Sequence, residues 1–443
     1  MKLRYTRLIC VLILLMLSFV LVSAGTIGVP LPKAPGGDYS SDYQGPILSQ
    51  KLFPTVRPQS PYHTRLVLLG TTGGVGWWPG TDRASSSSAL LVGDTIYLID
   101  MGQGSALRLS EALNAGDFVK VNGSRVENGS STFLANARAL FITHLHMDHT
   151  ADYPSFLLIG SGAGLGTMYD PVTGKLLVPP FQVYGPASRG PLEVDKTNYT
   201  GKIVYVDSAD PALEIPTPGM RQQTASTLES YAQAINDMTL DNGYRDYTSL
   251  VEVHEIGPDP GQPGDIRFEA PGLDLTNETC ASMEPFDVYE DGNVRVRAIL
   301  VDHHQVYPSL AYRFDTADGS VVFSGDTGNN TRGNLQKLAA GADILVHEVI
   351  DPAWINLKFG NVTGRPKLAA LKIHMQTSHT TIEDAGAVAT RCGVKTLVLN
   401  HIVPGNTPRS NLLRAQRTFP GKLIIGEDLM VIPVGRPTGG IPV

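Results

Sequence analysis

Thr143-His144-Leu145-His146-Met147-Asp148-His149 sets three imidazoles and a carboxylate within six residues, directly after the apolar run Ala139-Leu140-Phe141-Ile142. That run predicts a buried strand. Side chains two apart on a strand share a face, so His144 and His146 can point at one ion. Beyond His146 the chain must turn, which swings Asp148 and His149 toward a second ion beside the first. Imidazole plus carboxylate, with no thiolate nearby, suits zinc, or else iron or manganese. The chemistry to which this spacing points is hydrolysis at a metal pair.

Four further sites repeat one pattern, a polar residue closing an apolar run. Asp302-His303-His304 follows Ile299-Leu300-Val301, and Gly325-Asp326-Thr327 follows Val321-Val322-Phe323 after an intervening serine. His347-Glu348 follows Ile344-Leu345-Val346, and His401 follows Leu397-Val398-Leu399-Asn400. Residues at one end of several strands in a layered sheet converge, which is how a site is assembled from distant sequence.

Elements must position these groups. Residues 66–69 predict a strand that breaks at Gly70-Thr71-Thr72-Gly73-Gly74, and residues 89–92 with 95–100 a hairpin about the turn Gly93-Asp94. A short helix is expected over 152–159, a Gly/Pro-rich loop over 161–180, a helix over 226–237 and a loop over 257–272. Strands are expected at 294–301, 321–323, 342–346 and 396–399, a helix at 382–392 and a terminal hairpin at 423–434. Strands in both halves with helices between them imply an α/β layered fold. The candidate ligands run from His144 to His401 and must meet, so residues 65–434 form one domain with an insertion around 195–285, followed by a tail at 435–443.

Lys2, Arg4 and Arg7 precede an uncharged apolar run over 8–22 and then Ser23-Ala24-Gly25. A basic start, an apolar middle and a small-residue exit read as a secretory signal peptide over 1–24, cut after Ala24, leaving an N-terminal tail over 25–64. The run falls short of the ~20 apolar residues of a membrane span. The expected location is secreted or periplasmic, with no membrane span after cleavage. Cleavage moves the formal net charge from -7 to -10, and no block of basic residues follows. A protein that grips a nucleic-acid backbone shows a basic stripe, so nucleic acid is disfavoured, a small-molecule ester is the expected partner, and a homodimer stays open. Outside the leader only Cys280 and Cys392 remain, either one disulfide or two separate buried thiols. Sequons at Asn122, Asn128, Asn198, Asn277, Asn329 and Asn361 would mark glycosylated surface loops in a secreted eukaryotic chain.

The ordered set Leu69-Gly70-Thr71-Thr72-Gly73-Gly74, Leu98-Ile99-Asp100-Met101-Gly102-Gln103-Gly104, the His144 to His149 motif, Val183-Tyr184-Gly185-Pro186, Pro308-Ser309-Leu310-Ala311-Tyr312-Arg313, Ser324-Gly325-Asp326-Thr327 and Val346-His347-Glu348 resembles the metallo-β-lactamase superfamily, in particular its ribonuclease Z and arylsulfatase-like branch. The resemblance implies a four-layer αββα sandwich with insertions. It implies two zinc ions, with manganese or iron as substitutes. One would be held by His144, His146 and His303, the other by Asp148, His149 and His401, with Asp326 bridging. His303 is preferred to His304 from its spacing to Tyr312-Arg313. Asp148 would also orient the nucleophile, the position of His347 matches a proton donor of the ribonuclease branch, and His379 is a second donor candidate.

The function so implied is a secreted dinuclear zinc hydrolase of small esters, arylsulfatase-like, since the tRNA processors more often carry glycine where Asp152 stands. The alternative is a phosphodiesterase, including a ribonuclease Z-type tRNA 3′-endonuclease, with lactone hydrolysis third. A sulfate monoester and a phosphate diester each carry about one negative charge on a tetrahedral centre, so one metal pair serves both. Trp77-Trp78 could line a substrate mouth and Arg83 or Arg313 hold an anion, while packing accounts for His63, His254 and His374.

Overall fold

Near-continuous apolar strands alternate their side chains between two cores, and that alternation builds the layers. The computed structural model describes residues 61–114, 118–121, 124–127, 133–169, 175–190, 217–241, 245–270, 273, 275, 278–329 and 332–437. The leader, the tail to residue 60, four sequons (Asn122, Asn128, Asn198, Asn277) and residues 191–216 of the insertion lie outside them. The sheet strands are β1 (Thr64–Gly70), β2 (Ser87–Val92), β3 (Thr95–Ile99), β4 (Ala137–Phe141), β5 (Phe181–Pro186), β6 (Val251–Gly257), β7 (Ile266–Arg267), β8 (Phe286–Glu290), β9 (Val294–Leu300), β10 (Leu310–Thr316), β11 (Ser320–Phe323), β12 (Ile344–Ile350), β13 (Thr396–Val403), β14 (Lys422–Ile425) and β15 (Val431–Val434). One sheet runs β7-β6-β5-β4-β3-β2-β1-β15 and the other β8 through β14 in chain order. Helices are α1 (Ser105–Asn114), α2 (Met147–Thr150), α3 (Tyr153–Gly160), α4 (Met220–Ser230), α5 (Ala232–Asp241), α6 (Asn334–Ala339), α7 (Pro352–Phe359), α8 (Pro366–Thr377) and α9 (Ile382–Cys392).

Leu66, Leu68, Leu90 and Phe141 of the first sheet meet Val296, Tyr312, Phe314 and Val346 of the second in a core between the sheets. Their neighbours Val67, Leu69, Leu91 and Leu140 face Leu109, Tyr153, Leu157 and Met220 of the helices on one side. Ile299, Val322, Leu345 and Leu397 face Leu335, Ala385 and Ala389 of the helices on the other. The result is the four-layer αββα sandwich that the resemblance implied. A buried leucine or phenylalanine contributes roughly 1.5–3 kcal/mol, so both sheet faces hold the strand ends where the polar groups stand.

Several elements differ from expectation. Residues 423–434 are not a hairpin: β14 pairs with β13 in one sheet, whereas β15 pairs with β1 in the other. The crossing is pinned by Asp428, which accepts hydrogen bonds from Thr71 Oγ1 and the Ala84 amide, both at 2.7 Å. Each strand thus completes a different core. The helix expected at 226–237 is two, α4 and α5, broken at Tyr231. From residue 217 the insertion builds α4 and α5 and adds β6 and β7 at the edge of the first sheet. Residues 257–272 therefore include a strand. Strand β12 runs on through His347 and Glu348 to Ile350, and β13 includes Asn400 and His401. Helices α7 and α8 had no counterpart in the sequence reading. Cys280 lies in the core between the sheets and Cys392 in the helix-side core, so they are separate buried thiols. Of the remaining sequons, Asn329 and Asn361 are exposed. Among the described residues no helix is long and apolar enough to cross a membrane.

Candidate metal centre

The pairs β3–β4, β11–β12 and β12–β13 are parallel, so their C-terminal ends open on one crevice. Strand β4 leads into His144, His146 and α2, which carries Asp148 and His149. Asp326 follows β11, Glu348 and His401 stand within β12 and β13, His303 follows β9, and His379 joins α8 to α9. Thr381 caps α9 by accepting from the Asp384 amide, and Gly393 ends it in the left-handed region at φ 66°. That fixes the His379-Thr380 turn in front of the helix.

Two sets of ligand atoms gather around Asp326. His144, His146 and His303 form one with it, and Asp148, His149 and His401 the other, all donor atoms of each set lying within 4.8 Å of one another. His149 Nε2 is 3.3 Å from Asp326 Oδ1, and His401 Nε2 is 3.1 Å from Asp326 Oδ2 and 3.2 Å from Asp148 Oδ2. His303 Nε2 is 3.3 Å from His146 Nδ1 and 3.7 Å from Asp326 Oδ2. Ligand atoms about 2.0–2.1 Å from a tetrahedral zinc lie roughly 3.3 Å apart, so these separations fit. His144 Nε2, His149 Nε2 and Asp326 Oδ1 are buried with no hydrogen-bond partner. A divalent ion supplies what such orphaned atoms lack.

The far sides of three of the imidazoles are held. His149 Nδ1 is 2.8 Å from Asp100 Oδ2, His144 Nδ1 3.1 Å from Thr143 Oγ1, and His303 Nδ1 donates to the Ser378 carbonyl at 2.9 Å. Asp100 also accepts from the Thr143 amide and hydroxyl. Such partners select the tautomer that turns Nε2 inward. Burial pushes His144 and His303 well below the usual imidazole range, leaving them neutral and able to ligate. Burial opposes the charge of Asp326 too, but His401 and His149 outweigh it and hold the carboxyl well below its ordinary value. Asp148 Oδ2 accepts the Gly74 amide at 2.7 Å, which ties the glycine loop to the centre.

Gly73 shows how tightly that loop sits. A Cβ there would meet the His401 ring at 2.1–2.4 Å, and His401 itself is held at φ 43°. Gly73→Ala is therefore expected to push His401 off the second ligand set. Isothermal titration with zinc should show the loss of one site while the first survives, and unchanged two-site binding would sink this reading.

The resemblance offered His347 and His379 as proton donors, and the structure places them differently. On β12 Val346 packs between the sheets while Leu345 and Val349 pack toward the helices. Alternation then sends Glu348 to the crevice and His347 away from it. His347 Nδ1 donates to the Glu348 carbonyl at 2.7 Å, and the side chain joins neither ligand set. His379 does reach the crevice. Its Nδ1 lies 3.4 Å from Glu348 Oε2 and 3.9 Å from Asp326 Oδ2. Glu348 Oε1 is itself fixed by the Thr380 amide at 2.7 Å. Burial opposes charge on His379, but Glu348 and then Asp326 overcome it and raise its pKa. Sequence reasoning assigned no role to Asp100, Glu348 or Ser378. The Asp100 signal was there, as the acid that closes the β3 run.

Other candidates are structural. Arg83 donates to Thr71 Oγ1 and the Gly426 carbonyl, and Arg313 to Asp315 and the carbonyls of Leu338 and Ala340. Trp77 is exposed, whereas Trp78 donates to the Gly73 carbonyl and packs edge-on against Trp354. His63 meets Asp318, and His254 the Gly264 carbonyl. A cavity of about 250 Å³ opens beside His146, lined by Ala187, Arg189, Val306 and Tyr307 among others.

The family described as the β-lactamase superfamily domain matches residues 264–402, the stretch that supplies His303, Asp326, Glu348, His379 and His401. Over that stretch the chain carries a β-lactamase superfamily domain. The chain is 27% identical over 379 residues to ribonuclease Z of Mycobacterium sp. (strain KMS), across 83% of this chain and 95% of that protein. It is 28% identical over 377 residues to ribonuclease Z of Mycobacterium avium (strain 104), across 84% and 99%. The crystal structure of human tRNase Z, short form, superposes with a TM-score of 0.48 at 19% identity, covering 84% of this chain and 99% of that one. The protein is a metal-dependent hydrolase acting on ester bonds.

These relatives overturn the expected partner. Proteins that match along nearly their whole length are named for RNA cleavage, so the small-molecule ester and the disfavoured nucleic acid do not stand. Net charge is a sum over the whole chain and does not report how charge is distributed over a surface.

Proposed function

We propose that this protein is a ribonuclease Z-type phosphodiesterase that uses two zinc ions. The observation that carries this reading is the Asp326-centred pair of ligand sets with a buried Glu348–His379 pair beside it. The names of the relatives that span the chain support the RNA substrate. Two bound zinc ions supply Lewis acidity at the phosphoryl centre and lower the pKa of a nearby water by several units.

The protein's own groups do the rest. Asp148, anchored by the Gly74 amide within the second ligand set, orients the attacking water. His379, kept charged by Glu348, hands a proton to the leaving oxygen, and Glu348 then stabilises the neutral pair less than it did the charged one. A positioned acid of this kind contributes about 10²–10⁴-fold.

Zinc-loaded protein is expected to cleave a precursor tRNA bearing a 3′ extension, and to lose that activity on chelation and regain it with zinc. Turnover of aryl sulfates alone, with no RNA cleaved, would overturn the reading. The leader over residues 1–24 is a separate proposal, for export: the mature N-terminus should be Gly25, and an intact Met1 in protein from its own cells would sink it.

A further inference from the structure

We infer that the hairpin of α7 and α8 is a cationic track that holds the phosphate backbone of the RNA leading into the centre; this rests on the ribonuclease reading. Residues 352–377 hold Lys358, Arg365, Lys367 and Lys372 and not one Asp or Glu, a local charge of +4 in a chain of net -7. Lys358, Arg365 and Lys367 are exposed. Elsewhere Arg108, Arg221, Arg295, Arg297, Arg313 and Arg414 each sit on a carboxylate. Among the described residues, none of the four hairpin cations is in an ion pair. Clustered unneutralised cations repel one another, and a polyanion satisfies them.

The placement matters as much as the charge. The hairpin is spliced between Glu348 and His379, so both of its ends lie at the centre. The His374 ring, in the last turns of α8, is 6.1 Å from His303 and 6.4 Å from His379. At about 1.5 Å per helical residue, Lys372 lies about 3 Å and Arg365 about 13 Å along the axis from His374. That is a line of positive charge leading away from the scissile position. Helix α8 buries none of its residues, so the surface is open to a ligand. Its apolar side chains, with Leu371 43% and Ile373 53% exposed, can lie against sugar and base, while Trp354 of α7 packs on Trp78 and ties the arm to the glycine loop.

The test uses the full zinc-loaded chain and the triple variant Lys358→Gln/Arg365→Gln/Lys367→Gln. Lys372 is left in place because its Nζ donates to the Gly360 carbonyl at 3.1 Å. Binding of a labelled precursor tRNA is followed by fluorescence anisotropy across a salt series. The slope of log affinity against log salt should fall by about 2–3, and Kd should rise about 10–100-fold. Lys358→Arg/Lys367→Arg should bind as the wild type does. Hydrolysis of bis-aryl phosphate, too small to reach the hairpin, reports an intact centre. If the wild type cleaves the RNA and the triple variant binds it with the same slope and Kd, the track is overturned and the ribonuclease reading survives. If the wild type hydrolyses bis-aryl phosphate but neither binds nor cleaves RNA, both fall. A change confined to self-association would make the face a contact between copies and also overturn the proposal.

Discussion

Asp326→Ala is expected to reduce bound zinc from two ions per chain to one at most and to lower kcat by roughly 1,000-fold or more. Asp326 is the one carboxylate that belongs to both three-residue sets around it, so its loss removes a ligand from each. It also removes the charge that binds the sets together, leaving Asp148 as the one carboxylate of the second set. Replacing an outer partner should do less. Asp100→Ala frees the far side of His149 and is expected to weaken zinc binding by about 10–100-fold while both sites remain titratable. Bound metal measured by mass spectrometry, beside turnover of RNA and of bis-aryl phosphate, separates the two. If Asp326→Ala kept two ions and full turnover, the shared-ligand arrangement would be wrong.

His379→Ala is expected to slow RNA cleavage by about 10²–10⁴-fold with both zinc ions still bound. The loss should depend on the leaving group. An aryl phosphate expels a weakly basic phenolate that needs no proton, so its hydrolysis should fall far less than cleavage at a ribose oxygen. Glu348→Gln should give the same leaving-group dependence in milder form, because it weakens the charge on His379 without removing the ring. His379 also lies within reach of a third cluster, with Glu348 and His401. A variant that lost one zinc ion, and lost both substrates equally, would identify His379 as a ligand rather than a donor. His347→Ala provides the contrast: on the helix side of β12 its effect belongs to stability, with the leaving-group dependence unchanged.

Much of this centre could be read along the chain because its spacings are local. The step of two from His144 to His146 on a strand end, followed at once by Asp148 and His149, has few geometric solutions. Polar groups at the ends of apolar runs likewise announced His303, Asp326 and His401, since strands that run the same way through a sheet bring such ends to one side. The layered fold followed from runs buried on both faces. Export, by contrast, was a reading of residues 1–24 alone.

What only the tertiary structure decided is which face a residue takes and what stands across from it. His347 and Glu348 are adjacent in sequence, yet pleating sends one to the helices and the other to the crevice. His379, 31 residues beyond Glu348 in the numbering, becomes its partner because α7 and α8 return the chain. Strands β14 and β15 look like one hairpin until each is seen to complete a separate core. The four cations of residues 358–372 are diluted in the net charge and gathered only by the helical hairpin. Sequence periodicity encodes local geometry through the pleat and the helical turn; pairings across the fold depend on packing at distances along the chain that no local period records.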